Sequence, residues 1–243
     1  MMIKALLLDL DGTLIDSERI PRMAWQKAAE HFGFTADETF LNQLTGMTKQ
    51  TAQGLVKKVL PENVDVEAFQ AYRHQIMAQI LKEQGIKAKK GARELLLKAR
   101  HENVECIVVT SSYTVSVGEK LAAAGLADLI EKIVCGDEVM HGKPAPDIYL
   151  LAMERYHLNK DECIVIEDSK NGLLSAKQAE IKSILVPDLI SPDAEMTACA
   201  EVVLNDLTAV LKYLFKNQIS AVRGDDPIVE IIDQTSLSFD QSK

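Results

Sequence analysis

The 243-residue sequence predicts an α/β fold: a doubly wound parallel sheet into which a separate helical segment is inserted. Three observations predict it. Short apolar runs alternate with helical patterns along most of the chain, the arrangement that yields a parallel sheet with helices on both faces. The runs are rich in Val and Ile without polar alternation, as strands buried on both sides require. From about Ser17 to Lys87 the alternation stops and only helical spacing remains.

The first strand, 4–10, ends at Asp9 and Asp11. Residues two apart in an extended segment point the same way, so these carboxylates meet at the mouth of a hydrophobic sheet and repel unless something positive lies between them. The Asp-Gly pair taken alone reads equally as a strand-ending turn. Beyond it, Val66, Phe69, Ile76 and Ile80 line one helix face. About seventy residues of helix are too many for an ordinary crossover, so 17–87 reads as an inserted helical domain. It leaves from the carboxyl end of the first strand, where open α/β sheets bind ligands. The remaining strands, 104–110, 132–135, 162–167, 182–186 and 201–204, alternate with helical patterns at 91–102, 115–124, 145–156, 169–179 and 206–215.

Composition removes several classes of function. With 47% hydrophobic and 26% charged residues the chain can bury a sizeable core. A net charge of −9, with only "KAKK" at 87–90 as a basic run, argues against a nucleic-acid or anionic-membrane surface. No apolar run reaches transmembrane length, and residues 5–8 are too short for a signal-peptide core, so a cytoplasmic location is expected. Cys106, Cys135, Cys163 and Cys199 lack a CxxC spacing, and Cys106 and Cys163 lie inside apolar runs, where a reduced cysteine is a small hydrophobe. The five histidines lack a zinc-binding spacing. Nothing in the sequence points to a protein partner.

The other strand ends carry chemistry. "VVTSS" ends in Thr110, Ser111 and Ser112, "GKPAPDIY" sets Lys143 before a helix-starting proline, and "IEDSKNG" places Glu167 and Asp168 ahead of Ser169. Each has an ordinary explanation singly, as a strand end, a solvated lysine or an N-cap. Together they bring two carboxylate pairs, a hydroxyl and a lysine to one sheet edge.

"DLDGTLIDS", "VVTSS", "GKPAPDIY" and "IEDSKNG", in this order, resemble the four motifs of the haloacid dehalogenase superfamily. The helical insertion after the first motif resembles the branch that includes phosphoglycolate phosphatase and β-phosphoglucomutase. The resemblance covers roughly residues 1–215. It implies a Rossmann-like core of residues 1–16 and 88–215, a helical cap of 17–87, and a C-terminal extension, 216–243, whose "PIVEIID" is apolar enough for a strand or a docking segment.

The resemblance also implies roles. Four carboxylates, Asp9, Asp11, Glu167 and Asp168, call for a hard cation, and oxygen ligands suit Mg²⁺. Asp9 is the implied nucleophile and a metal ligand, and Asp11 binds metal through its backbone carbonyl while its carboxyl group moves the proton. Asp168 completes the ligands, and Glu167 supports the metal directly or through water. Lys143, the Thr110 hydroxyl and the Ser111 N–H hold the phosphoryl oxygens. The implied function is Mg²⁺-dependent hydrolysis of a small phosphorylated metabolite, such as a sugar phosphate, through an aspartyl phosphate. A β-phosphoglucomutase-like mutase is the alternative. Against it, Pro21 stands where those mutases carry a cap histidine, and Tyr113 and Thr114 replace their Lys-Asn pair. "LTGMTK" does resemble their cap loop, with Lys49 as a candidate specificity contact. A catalytically silent binding or regulatory module on the same fold is a reading of another class.

Overall fold

The computed structural model describes residues 3–44, 56, 60–62 and 64–216. Among these, six parallel strands form one sheet: β1 Ala5–Leu8, β2 Glu105–Thr110, β3 Lys132–Cys135, β4 Cys163–Glu167, β5 Ser183–Leu185 and β6 Val202–Val203. Their spatial order is β3-β2-β1-β4-β5-β6, a Rossmann-like sheet whose progression reverses between β1 and β4. The helices, in chain order, are α1 Arg19–His31, α2 Glu38–Leu44 and α3 Val66–Gln84 of the inserted segment, then α4 Ala92–His101, α5 Thr114–Ala123, α6 Asp147–Arg155, α7 Lys170–Gln178, α8 Ala194–Cys199 and α9 Leu207–Leu214.

The pleat of β1 divides the core. Leu6 and Leu8 pack with Leu95, Val117 and Leu211 of α4, α5 and α9 on one face. Ala5 and Leu7 pack with Ile148, Ala152 and Ala176 of α6 and α7 on the other. All four β1 side chains are fully buried, which is why the run shows no polar alternation. In register, Leu8 stands opposite Val108 and Ile166, so Asp9 falls level with Glu167 at the carboxyl edge.

Several strands are shorter than the sequence suggests, the first and the last most of all. The run 4–10 stops pairing at Leu8: the Asp9 N–H still donates to the Ile166 carbonyl (3.0 Å), but the N–H groups of Leu14 and Ile15 then turn back onto the Leu10 carbonyl. The run 201–204 narrows to Val202–Val203 at the sheet edge. Helix α8 has no counterpart in the sequence reading; Asp193 caps it, accepting from the Met196 N–H at 2.7 Å.

Among the described residues of the inserted segment the elements are helices, and they share a core of their own. Trp25 of α1 meets Phe69 of α3 at 4.9 Å and Phe40 of α2 at 5.2 Å between ring centroids. Phe69 and Ile80 of the predicted helical face are buried. The two chain crossings run side by side: the Asp16 N–H donates to the Lys87 carbonyl (2.8 Å) and the Lys89 N–H to the Leu14 carbonyl (2.9 Å). Lys49 and residues 217–243 of the C-terminal extension lie outside the described residues. Among the described residues, no helix is long and apolar enough to cross a membrane.

Leu7, fully buried between β1 and the α6–α7 layer, should be costly to truncate. Leu7→Ala is expected to lower unfolding free energy by about 3 kcal/mol, read from the urea midpoint.

Candidate active site

Because β1 and β4 are neighbours in register, Asp9 and Glu167 project from the same level of the sheet edge. Lys143, on the loop before α6, lies between them. Its Nζ donates to Asp9 Oδ1 (2.6 Å), Glu167 Oε1 (2.7 Å) and the Val109 carbonyl (3.0 Å). The ammonium also sits 5.2 Å from the centroid of the buried Tyr149 ring. Burial alone would lower the Lys143 pKa, but Asp9 and Glu167 outweigh it and keep the side chain cationic. Burial and the nearby Glu167 push Asp9 up against the pull of Lys143, to about 8.

Glu167 is anchored on its other side as well. Its Oε2 accepts from the N–H groups of Asp168 (3.0 Å) and Ser169 (2.9 Å) and from the Ser169 hydroxyl (2.9 Å). Its carboxylate fills the space where a Cβ on Gly172 would stand, so the first turn of α7 needs glycine there.

Asp168 accepts from the Thr13 hydroxyl at 3.1 Å. It lies against Gly12, whose φ of +89° and missing Cβ let the first loop approach it. Burial, then Glu167 and Asp9, raise the Asp168 pKa well above its usual value. Asp9, Glu167 and Asp168 can each offer one oxygen, all within 4.8 Å of one another. Including Asp11, four carboxylates gather here against two ammonium groups, Lys143 paired with Asp9 and Glu167 and Lys120 with Asp11. That surplus of negative charge, on oxygen donors only, fits a hard divalent cation such as Mg²⁺.

The Asp11 carboxylate stands outside that cluster, contrary to the alternation expected of an extended strand. Pairing has already ended at Leu8, and the chain turns at Gly12. Asp11 Oδ1 accepts from Ser17 Oγ (2.5 Å) and Lys120 Nζ (2.7 Å), and Oδ2 from Ser112 Oγ (2.6 Å). Burial raises the Asp11 pKa, but Lys120, Ser112 and Ser17 together outweigh it and hold the group below its ordinary value.

Thr110, the last residue of β2, is buried, and its Oγ1 accepts from the Ser112 N–H at 3.0 Å. That leaves its hydroxyl hydrogen available to a ligand. Ser111 is exposed, and Gly136 after β3 packs so closely on its main chain that a Cβ there would come within 2.5 Å of the Ser111 carbonyl oxygen.

The structure thus joins Asp9, Lys143, Glu167 and Asp168 directly and sets Asp11 in an adjoining network. The sequence reading missed Lys120, Ser17, Thr13 and Tyr149. Lys120 had a signal: it stands three residues after the buried Val117, on that residue's side of the helix, where a lysine needs a partner.

Lys143→Met should leave Asp9 and Glu167 facing each other without a cation, costing about 3 to 5 kcal/mol of stability. Asp9, which burial already raises against the pull of Lys143, then holds its proton still more tightly folded than unfolded. The deficit is therefore expected to be largest at pH 8 and to shrink toward pH 5, as followed by thermal melts at about those two values. Gly172→Ala should displace Glu167 and lower the melting temperature together with any activity of the site.

The haloacid dehalogenase-like hydrolase family matches residues 6–186. The chain is 33% identical over 215 residues to the validoxylamine A 7′-phosphate phosphatase of Streptomyces hygroscopicus subsp. limoneus, covering 86% of this chain and 96% of that protein. It is 30% identical over 181 residues to the phosphorylated carbohydrates phosphatase of Thermotoga maritima, covering 74% and 83%. Among solved structures, a HAD family hydrolase from Deinococcus radiodurans with bound phosphate and sodium superposes with a TM-score of 0.74 at 28% identity, over 88% of this chain and 96% of that one. The chain belongs to the haloacid dehalogenase-like hydrolase family.

Proposed function

We propose that the protein is a Mg²⁺-dependent phosphatase that hydrolyses a small phosphorylated metabolite of the sugar-phosphate kind through an aspartyl-phosphate intermediate. The observation that carries this reading is Asp9, held by Lys143 and beside Asp168, with Asp11 two residues on in its own hydrogen-bonded setting. The phosphatases named among its relatives, one acting on phosphorylated carbohydrates, support the substrate class.

In this reading Asp9 attacks phosphorus through a carboxylate oxygen and the ester P–O bond breaks. Asp11 gives a proton to the departing alkoxide. Water then attacks the phosphorus of the acyl phosphate, passing a proton to Asp11 and releasing Asp9 and inorganic phosphate. Lys143, the Thr110 hydroxyl and the Ser111 N–H hold the non-bridging oxygens, where charge spreads in the transition state. Asp9, Asp168 and the Asp11 main-chain carbonyl would hold Mg²⁺, with Glu167 supporting it through water, since donors already occupy both its oxygens. The ion would offset the repulsion between the attacking carboxylate and the phosphoryl group. Hydrolysis is favoured over mutase chemistry because Pro21, in the first turn of α1, has no group that can exchange a proton.

Asp9→Asn should fold and lose nearly all turnover; retention of more than about a tenth of wild-type activity would remove the covalent route. Chelation should abolish phosphatase activity and Mg²⁺ restore it, with Ca²⁺ a poor substitute because of its looser coordination. Since Asp9 must lose a proton to bind metal and its pKa is raised to about 8, Mg²⁺ affinity in titration calorimetry should strengthen as pH rises toward that value. Affinity independent of pH would exclude Asp9 as a ligand.

A further inference from the structure

We propose that Lys120 is a positioning residue for Asp11: from α5 it fixes the direction in which the Asp11 carboxyl group meets the leaving oxygen. The proposal rests on the phosphatase reading above. Asp11 is gripped from two sides. Ser17, where the chain leaves for the inserted helices, supplies one donor to Oδ1. The other grip is a closed triangle: Lys120 Nζ lies 2.7 Å from Asp11 Oδ1 and 2.8 Å from Ser112 Oγ, and Ser112 Oγ lies 2.6 Å from Asp11 Oδ2.

Lys120 acts from a rigid base. Val117 and Leu121 on the same helix are buried in the core. The start of α5 is tied to Asp137, which accepts from the Thr114 N–H (3.0 Å) and hydroxyl (2.9 Å). An exposed lysine–aspartate pair fixes little, because both side chains are free to reorient. Here the two side chains are only 24% and 18% exposed, and the shared serine sets the angle of the carboxylate plane as well as its distance. Side chains held on helices place reacting groups more closely than side chains on loops.

The test uses the leaving group. kcat/KM covers the steps through departure of the alcohol, so an alkyl ester needs a well-aimed Asp11, whereas p-nitrophenolate departs without a proton. With Mg²⁺ present, Lys120→Met should lower kcat/KM for the best sugar phosphate of a substrate panel roughly tenfold to a hundredfold. The loss on p-nitrophenyl phosphate should be several-fold smaller. Lys120→Arg, which keeps a donor on Asp11, should recover most of the sugar-phosphate activity. Equal losses on both esters, no loss on either, or an arginine variant as impaired as the methionine one would overturn the proposal. Should Lys120→Met fail to fold, Lys120→Leu, which likewise offers no donor, carries the same comparison. Wild-type protein inactive on every ester would remove the phosphatase reading, and this proposal with it.

Discussion

The buried ammonium of Lys143, wedged between Asp9 and Glu167, is the interaction on which the rest of the site depends. Two adjacent parallel strands deliver carboxylates to the same level, and without a cation between them the sheet edge would carry uncompensated charge in a dry place. The consequences spread outward. Glu167 must be anchored so that it holds Lys143 steady, which fixes the turn into α7 and requires glycine at 172. Tyr149 offers the ammonium an aromatic face and its hydroxyl to Glu167, so the first turns of α6 and α7 are tied to the same charge.

A second consequence is a division of labour between two aspartates that are nearly adjacent in sequence. Asp9 belongs to the sheet edge and to Lys143, and Asp11 to the loop and to Lys120. Each carboxylate has its own ammonium, and their pKa values are driven apart: burial dominates for Asp9, while hydrogen bonds and Lys120 prevail for Asp11. Two residues of chain thus separate a carboxyl group buried against Lys143 from one held by a lysine and two serine hydroxyls. A strand extended to residue 11 would point both side chains the same way.

Much of the architecture was legible because the responsible forces are local. Strands buried on both faces read as unbroken apolar runs, and the five helical patterns of the core fall within a residue or two of α4, α5, α6, α7 and α9. The residues gathered at the sheet edge, Asp9, Thr110, Lys143, Glu167 and Asp168, were legible because parallel strands end on one side. Other features depend on distant contacts. The strand carrying Asp9 stops at Leu8 because the loop folds back on Leu10, and the alternation rule cannot foresee that. Lys120 and Ser17 look like ordinary surface residues until the fold brings Asp11 between them. The short α8 depends on its cap at Asp193 more than on any apolar period.

The pairing of β1 bears on how the chain reaches this state. Leu8 finds its neighbours at Val108 and Ile166, so the central strand, synthesised first, waits for partners made far later. The helices that follow it can meanwhile condense around Trp25, Phe40 and Phe69, whose contacts lie within a far shorter stretch of chain. Long-range parallel pairing closes slowly, because large loops lose their entropy before the contacts that reward them form. The apolar edge Leu6–Leu8 therefore stays unpaired until Val108 and then Ile166 have emerged, an open strand edge of the kind that other chains can pair with.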